Sequence, residues 1–264
     1  MKSRPIKSLY IVAGVLLGAI DASAHITYNG RDFGVIQGGN VGQSIPLTVS
    51  TISSDFGWAA ATDANYGDSH RTRAFRFYLA NAGIVTLGVQ ATTAGFLPGF
   101  SIYSGLAHLA PSASSHDGSK ASLDYLGSLG SPTKVGALFA LGNWAVGNDP
   151  VYNTAGEPSS GTSMPASLRY LTYIGNAADG STANYGSAEG IHGDGVADGF
   201  VTGSFNLPAG DYSIFLGGAN LASESTGPTF PSHGAGLTLS VIPEPSSALL
   251  IVLTGIGLVV RRRR

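Results

Sequence analysis

The sequence contains no cysteine, and only 11% of its 264 residues are charged, less than half of the usual share of roughly 25%. Without cysteine, disulfide frameworks, thiolate nucleophiles and cysteine-ligated zinc or iron–sulfur sites are excluded. The formal net charge of −2 argues against a nucleic-acid-binding surface. The G-x-S-x-G and H-E-x-x-H patterns of common hydrolases are also missing, so the sequence predicts no catalytic residue.

Glycine and apolar residues are plentiful. The 38 glycines are about twice the average share of roughly 7%, and 43% of the residues are hydrophobic. That apolar fraction is enough to bury a core, so the chain is not a disordered tail. No window shows the pattern of a long amphipathic helix, whereas short alternating runs are frequent. We therefore predict an all-β protein.

The first 24 residues have the three parts of a secretory signal peptide. A positive segment precedes an apolar run of 12 residues, Leu9–Ile20, and Ala22 and Ala24 then satisfy the A-x-A cleavage rule. The positive residues are Lys2, Arg4 and Lys7. We predict cleavage before His25 and export across the inner membrane. The alternative, a membrane anchor, is disfavoured because a span needs about 20 apolar residues.

The last 22 residues also form a tripartite segment. A Pro-Glu-Pro tripeptide, an uncharged run over 246–260 and a terminal basic cluster follow one another. The tripeptide is Pro243, Glu244 and Pro245, and the cluster is Arg261, Arg262, Arg263 and Arg264. As a helix the run is about 22 Å long, and the arginines can snorkel and would stay in the cytoplasm. The preceding domain would then lie outside.

This tail resembles the PEP-CTERM sorting signal in the order of its three features. The resemblance implies recognition by an exosortase, a membrane protease-transpeptidase that removes the helix. It further implies a Gram-negative bacterium that makes exopolysaccharide, only transient membrane contact, and a final place at the cell surface or outside the cell. The alternative is a plain C-terminal membrane anchor.

Between the two ends, residues 25–242 read as one β-sandwich or jelly roll. Eight short segments alternate or are apolar and are bounded by turn residues. They are 44–50, 75–79, 85–89, 100–103, 169–174, 201–207, 212–216 and 237–241. Two pairs of these segments, 75–79 with 85–89 and 201–207 with 212–216, predict β-hairpins closed at Gly83 and Gly210. The stretch 104–168 is predicted to be a long irregular insertion.

Three segments, Arg73–Val89, Gly99–Gly105 and Gly199–Gly218, resemble the bacterial pre-peptidase C-terminal type of β-sandwich. The last of them contains the phrase FNLPAGDYSIFL, similar to a strand pair of that family. The resemblance implies a non-catalytic domain that aids secretion, binding or surface attachment.

Acidic loop residues are the candidate metal ligands. Without its two ends the chain keeps seven basic and 14 acidic residues, a formal charge of −7. Asp63 and Asp68 precede one predicted hairpin, and Asp194 and Asp198 precede the other. Carboxylates on glycine-rich turns suit Ca²⁺, which is therefore a possible cofactor. The alternative is turn chemistry, because Asp-Gly pairs also bond their own backbone.

The sequence therefore favours a non-enzymatic surface or matrix protein that is structural or adhesive and associates with exopolysaccharide. One alternative is a secreted polysaccharide-active enzyme, in which the new N-terminus at His25 would hold copper as in the histidine brace of lytic polysaccharide monooxygenases. The second histidine would come from His70, His116, His192 or His233. Another alternative is a Ca²⁺-dependent carbohydrate-binding module.

Overall fold

The computed structural model describes residues 28–58, 66–68, 71–106, 119–120, 137–146, 169–181, 192–220 and 231–243. These residues form thirteen strands and one short 3₁₀ turn at Gly38–Asn40. The strands are β1 (Asp32–Ile36), β2 (Ser44–Ser53), β3 (Tyr66–Asp68), β4 (Arg73–Leu79), β5 (Gly83–Ala91), β6 (Pro98–Ser104), β7 (Ser119–Lys120), β8 (Ala137–Phe139), β9 (Trp144–Val146), β10 (Arg169–Ala178), β11 (Phe200–Leu207), β12 (Gly210–Gly218) and β13 (Ser232–Pro243). Within these ranges no helix is long and apolar enough to cross a membrane.

Two sheets face each other, which confirms the prediction of an all-β sandwich. The large sheet has the order β1-β4-β12-β6-β10-β9-β7, and the small sheet has the order β11-β5-β13-β2. A separate pair joins β3 to β8. The pairing is antiparallel throughout the two sheets except between β1 and β4, which run parallel.

The core lies between the sheets and follows from the alternation of each strand. In β4, Phe75, Phe77 and Leu79 are fully buried, and in β5, Val85, Leu87 and Val89 are as well. Successive side chains of a strand point to opposite faces, so each of these sets lines the inside of its sheet. The Phe77 ring stacks on Tyr212 of β12 with their centroids 5.0 Å apart.

The two predicted hairpins are wrong, although their strands are present. β4 belongs to the large sheet and β5 to the small sheet, so the turn before Gly83 crosses from one sheet to the other. β11 and β12 are divided in the same way. The strands of one predicted hairpin instead pair with those of the other. β4 pairs with β12, with Phe77 opposite Tyr212, and β5 pairs with β11, with Val85 opposite Phe205. Each of these four strands buries apolar side chains in the core between the sheets.

Within the 104–168 insertion, β7 and β9 extend the large sheet, whereas β8 belongs to the separate pair with β3. β9 pairs with β10, β7 pairs with β9, and β8 pairs with β3. A buried relay anchors this part, since the Trp58 indole N–H donates to Ser101 Oγ (2.8 Å), which donates to the Ala140 carbonyl. Trp58, Ser101 and Ala140 are all fully buried. The insertion is therefore packed on the sandwich at this point.

The described residues begin at Tyr28 and end at Pro243. β13 ends at Pro243, whose backbone is paired with Gly83, so the last strand reaches the first residue of the Pro-Glu-Pro tripeptide. Glu244, Pro245, the run 246–260 and the terminal arginines lie outside the described residues, as do residues 1–27. The signal peptide and the sorting signal remain predictions.

Candidate metal centre

Asp179 is the first residue after β10, in the turn that follows this strand of the large sheet. Its backbone N–H donates to the Pro98 carbonyl (2.9 Å), which holds it against the start of β6. The next residue, Gly180, has φ +121°, a conformation that side-chain-bearing residues rarely adopt. The Asp179 residue has no exposed surface. This Asp-Gly turn therefore places a carboxylate inside the protein rather than in solvent.

Asp194 and Asp198 lie in the loop that leads into β11, and each begins a short turn. Asp194 Oδ1 accepts hydrogen bonds from the backbone N–H groups of Val196 (3.1 Å) and Gly180 (3.2 Å). Asp198 Oδ1 accepts one from Phe200 N–H (2.9 Å). Bonds from an aspartate to the N–H two residues later are those of Asx turns. The alternative interpretation of these residues, turn chemistry, is thus present in the structure.

The same geometry brings three carboxylates together. Asp179 Oδ1 accepts the N–H of Asp198 (3.2 Å), and its Oδ2 accepts the N–H of Gly199 (2.7 Å). One carboxylate oxygen from each of Asp179, Asp194 and Asp198 lies within 4.8 Å of the others. Asp179 is buried, whereas Asp194 and Asp198 are exposed. The cluster thus has a buried base and an open side.

Charge is unfavourable at this cluster. Burial raises the pKa of the Asp179 carboxyl above its ordinary value, and the negative charges of Asp194 and Asp198 raise it further. The two backbone hydrogen bonds from Asp198 and Gly199 partly oppose this rise in pKa. A cation bound among the three carboxylates would remove the repulsion.

The ligand atoms are all oxygens, which selects for hard cations. Ca²⁺ takes six to eight oxygens from carboxylates, backbone carbonyls and water, whereas copper and zinc prefer imidazole or thiolate. A groove of about 380 Å³ borders the cluster and is lined by residues 90–97 and 197–199. Asp198 belongs to both the groove and the cluster, so the open side is reached from solvent.

The structure brings together two of the four aspartates predicted as metal ligands. Asp68 instead pairs with Arg71 (Oδ2 to Nε, 3.1 Å), and Asp63 lies outside the described residues. Asp179 was not predicted. The signal that could have found it is an Asp-Gly pair directly after a strand, in the same acidic, glycine-rich half of the chain.

Of the histidines considered for a copper brace, the structure describes two. His192 is exposed at the start of the acidic loop. His233 is buried, stacks on Phe96 (centroids 4.6 Å apart) and has Nε2 2.7 Å from Asp55 Oδ1, although the angles of this contact are not those of a hydrogen bond. His25, His70 and His116 lie outside the described residues, together with Ala22 and Ala24. The brace remains a hypothesis from the sequence.

No family model matches the sequence, and no curated protein does. Among solved structures, the chain is similar to CorA, a surface-associated copper-binding protein important in copper acquisition by Methylomicrobium album BG8. The identity is 15%, the match covers 83% of this chain and 99% of CorA, and the TM-score is 0.49. It is also similar to MopE, a secreted protein of Methylococcus capsulatus in which an oxidised tryptophan facilitates copper binding, at 13% identity, 80% and 87% coverage and a TM-score of 0.40. Both TM-scores are below 0.5, so the copper binding of those two proteins is not carried over to this chain.

Proposed function

We propose that this chain is an exported, non-enzymatic surface or matrix protein whose sandwich is stabilised by a bound Ca²⁺ ion. The signal-peptide pattern before His25 and the tripartite tail after Ile242 support export and sorting by an exosortase. After processing, the β-sandwich would act outside the cell as a structural or adhesive domain that contacts exopolysaccharide.

One observation supports the calcium part of this proposal, namely the convergence of Asp179, Asp194 and Asp198 within 4.8 Å. Three carboxylates supply half of the six oxygens that Ca²⁺ needs at least, and the loop carbonyls and water can supply the rest. Mg²⁺ demands a near-ideal octahedron, which a flexible glycine-rich loop provides less readily. We therefore favour Ca²⁺ over Mg²⁺.

The cation would act as a clamp between the sheets. Asp179 follows β10 of the large sheet, and Asp198 precedes β11 of the small sheet. An ion held by both side chains fixes the loop 192–199 against the end of β10. Extracellular Ca²⁺ modules bind with dissociation constants of about 10⁻⁴–10⁻³ M, so such a clamp would be filled outside the cell.

The calcium part is tested by melting the full-length chain in EGTA and in millimolar Ca²⁺. We expect Ca²⁺ to raise the Tm, and we expect Asp194→Ala to abolish the rise. Asp211→Ala is the matched control, because Asp211 is an exposed aspartate on β12 and does not belong to the cluster. Equal midpoints with and without Ca²⁺, or a rise that persists in Asp194→Ala, would refute the clamp.

The sorting part is tested separately by mass spectrometry of the protein recovered from its native host. We expect a chain that begins at His25 and has lost its four terminal arginines. A chain that keeps both ends would contradict export and sorting, whatever the calcium result.

A further inference from the structure

The small sheet differs from the rest of the domain in its charge. Its four strands, β2, β5, β11 and β13, comprise 39 residues and contain no aspartate, glutamate, lysine or arginine. The large sheet carries charges on several strands, for example Asp32 on β1, Arg76 on β4 and Asp211 on β12. Protein surfaces usually mix charges of both signs, so an uncharged sheet facing solvent indicates a specific use of that surface.

Register places polar side chains in rows across the outer face of this sheet. The inward residues of β5 are Val85, Leu87 and Val89, so the residues between them point outward. Thr86 lies opposite Ser204 on one side and Ser240 on the other, and Ser240 lies opposite Ser44. This row carries one hydroxyl on each of the four strands. Thr86 and Ser204 are hydrogen-bonded to each other (Oγ1 to Oγ, 2.8 Å).

An aromatic ring lies at one end of the same face. Phe200 is 42% exposed, and its ring edge would be 3.7 Å from a Cβ at Gly88, so the ring covers the sheet where β5 has no side chain. Thr238 borders the same position from β13, and Gln90 lies opposite Phe200. Beside Gln90, a Cβ at Gly236 would meet nothing within 4 Å, so the face is open there.

At the other end of the face, two isoleucines lie beside the exposed Asn206. Ile84 and Ile242 lie opposite each other and are 37% and 60% exposed. The face thus runs from an aromatic ring, across hydroxyl and amide groups, to a pair of isoleucines. With strands about 4.8 Å apart and two-residue steps of about 6.8 Å, it measures roughly 14 Å by 20 Å.

We propose that this outer face binds a neutral polysaccharide. The C–H face of a sugar ring packs on an exposed aromatic ring, and sugar hydroxyls exchange hydrogen bonds with side-chain hydroxyls and amides. A flat surface of this size accepts an extended chain rather than a small molecule enclosed in a pocket. The inference names the partner of the proposed surface protein and rests on that function for its biological setting.

Charge selects the neutral polysaccharide over other occupants. An anionic polymer needs cationic groups, and the sheet has none in a domain whose formal charge is −7. A second copy of this chain is the other candidate occupant. The hydroxyl row disfavours it, because stable homodimer interfaces are more apolar at their centre.

The proposal is tested by affinity gel electrophoresis of the full-length chain in mild detergent, with EDTA present. The gels contain dextran, mannan, a β-glucan or, as the anionic comparison, alginate. We expect at least one neutral polysaccharide to retard the protein and the retardation to persist at 1 M NaCl, because no charge is involved. Phe200→Ala should weaken the affinity by about tenfold or more.

Tyr78→Ala is the matched control, since Tyr78 is 41% exposed on a strand of the large sheet. We expect it to bind as the unmodified chain does, and thermal melting of both variants checks that they fold. Thr86→Lys, which places a charge in the hydroxyl row, should also lose binding. No retardation by any neutral polysaccharide, retardation by alginate alone, or an equal loss in Tyr78→Ala would overturn the proposal.

Two further outcomes separate the alternatives. Concentration-dependent dimerisation that Phe200→Ala abolishes, without retardation, would assign the face to a second copy and overturn the inference. Because EDTA removes Ca²⁺, a failure of glycan binding leaves the calcium clamp unaffected. Conversely, a missing calcium shift in the melting experiment leaves the glycan result standing.

Discussion

Replacing Asp179 by asparagine should remove most of the stabilisation that Ca²⁺ gives to the protein. The substitution keeps the shape of the side chain and removes its charge. One oxygen still accepts an N–H from Asp198 or Gly199, but the new NH₂ group faces the other N–H, whereas the carboxylate accepts both. The lost hydrogen bond costs about 1–3 kcal/mol. Removing a buried charge next to Asp194 and Asp198 acts in the opposite direction.

The sign of the pH dependence follows from the raised pKa of the Asp179 carboxyl. Because the folded protein holds this proton more tightly than the unfolded chain does, the contribution of Asp179 to stability is greatest below its unfolded pKa of about 3.9. It is lost as the pH rises through the higher folded-state pKa. In EGTA, the free energy of unfolding of Asp179→Asn should therefore increase relative to that of the unmodified chain as the pH rises from about 4 to 7.

Calcium should stabilise the unmodified chain more than the asparagine variant at pH 7. Ca²⁺ at a hundredfold excess over its dissociation constant stabilises the unmodified chain by about 2.7 kcal/mol. For a domain of this size that corresponds to a rise in Tm of about 5–11 °C, and the asparagine variant should show little of it. Differential scanning calorimetry in EGTA and in Ca²⁺ measures both effects. A calcium shift of equal size in both proteins, or a variant that loses stability relative to the unmodified chain as the pH rises in EGTA, would refute the reasoning.

Two further predictions concern the buried tryptophan and its surroundings. Gly99→Ala should lower the free energy of unfolding by about 1–3 kcal/mol in a urea titration, because its Cβ would lie 2.4 Å from Trp58 Cε3. Gly236→Ala is the control: its Cβ would meet nothing within 4 Å, so the free energy of unfolding should change by less than about 0.5 kcal/mol. Ser101→Ala should lower the free energy of unfolding by about 1–3 kcal/mol, because it leaves the Trp58 indole N–H without its acceptor. A change in tryptophan fluorescence should accompany this loss. An unchanged urea midpoint would contradict the buried relay.

The sequence predicted eight of the thirteen strands, because alternation reports burial directly. Each of the eight predicted segments lies within an observed strand, and the observed strands extend them by a few residues, as β10 extends 169–174 to Ala178. β1 was missed, since DFGVI is short and contains a glycine at φ +75°. At the edge of the large sheet it pairs with β4 and buries only Phe33 and Ile36, which is too short an apolar pattern to indicate a strand.

Strand partners could not be predicted in the same way. A short turn such as the one before Gly83 suits both a hairpin and a crossing between sheets, and alternation is the same in both cases. What decides is the packing of Phe77 against Tyr212 and of Val85 near Phe205, and these residues are far apart in the sequence. Tertiary packing of this kind leaves no local signal.

Two of the three aspartates of the candidate metal centre were predicted, and the third was missed for a related reason. Asp194 and Asp198 share one loop, so their spacing showed them together. Asp179 belongs to the turn after β10 and joins them only because β10 and the loop before β11 meet, as the bridge between Ala178 and Gly193 shows. Proximity that depends on the meeting of two elements cannot be read from the spacing of residues.

The exchange of strands between the sheets has a consequence for the order of folding. Val85 finds its neighbours in Phe205 and Val241, and Phe77 finds one in Tyr212, so neither layer is complete until the last third of the polypeptide has been synthesised. Such distant pairings impose a large loop-closure entropy, and domains dominated by them fold in milliseconds to seconds. A nascent chain of this kind stays open for as long as its C-terminal strands are missing, which is the state that the proposed export across a membrane requires.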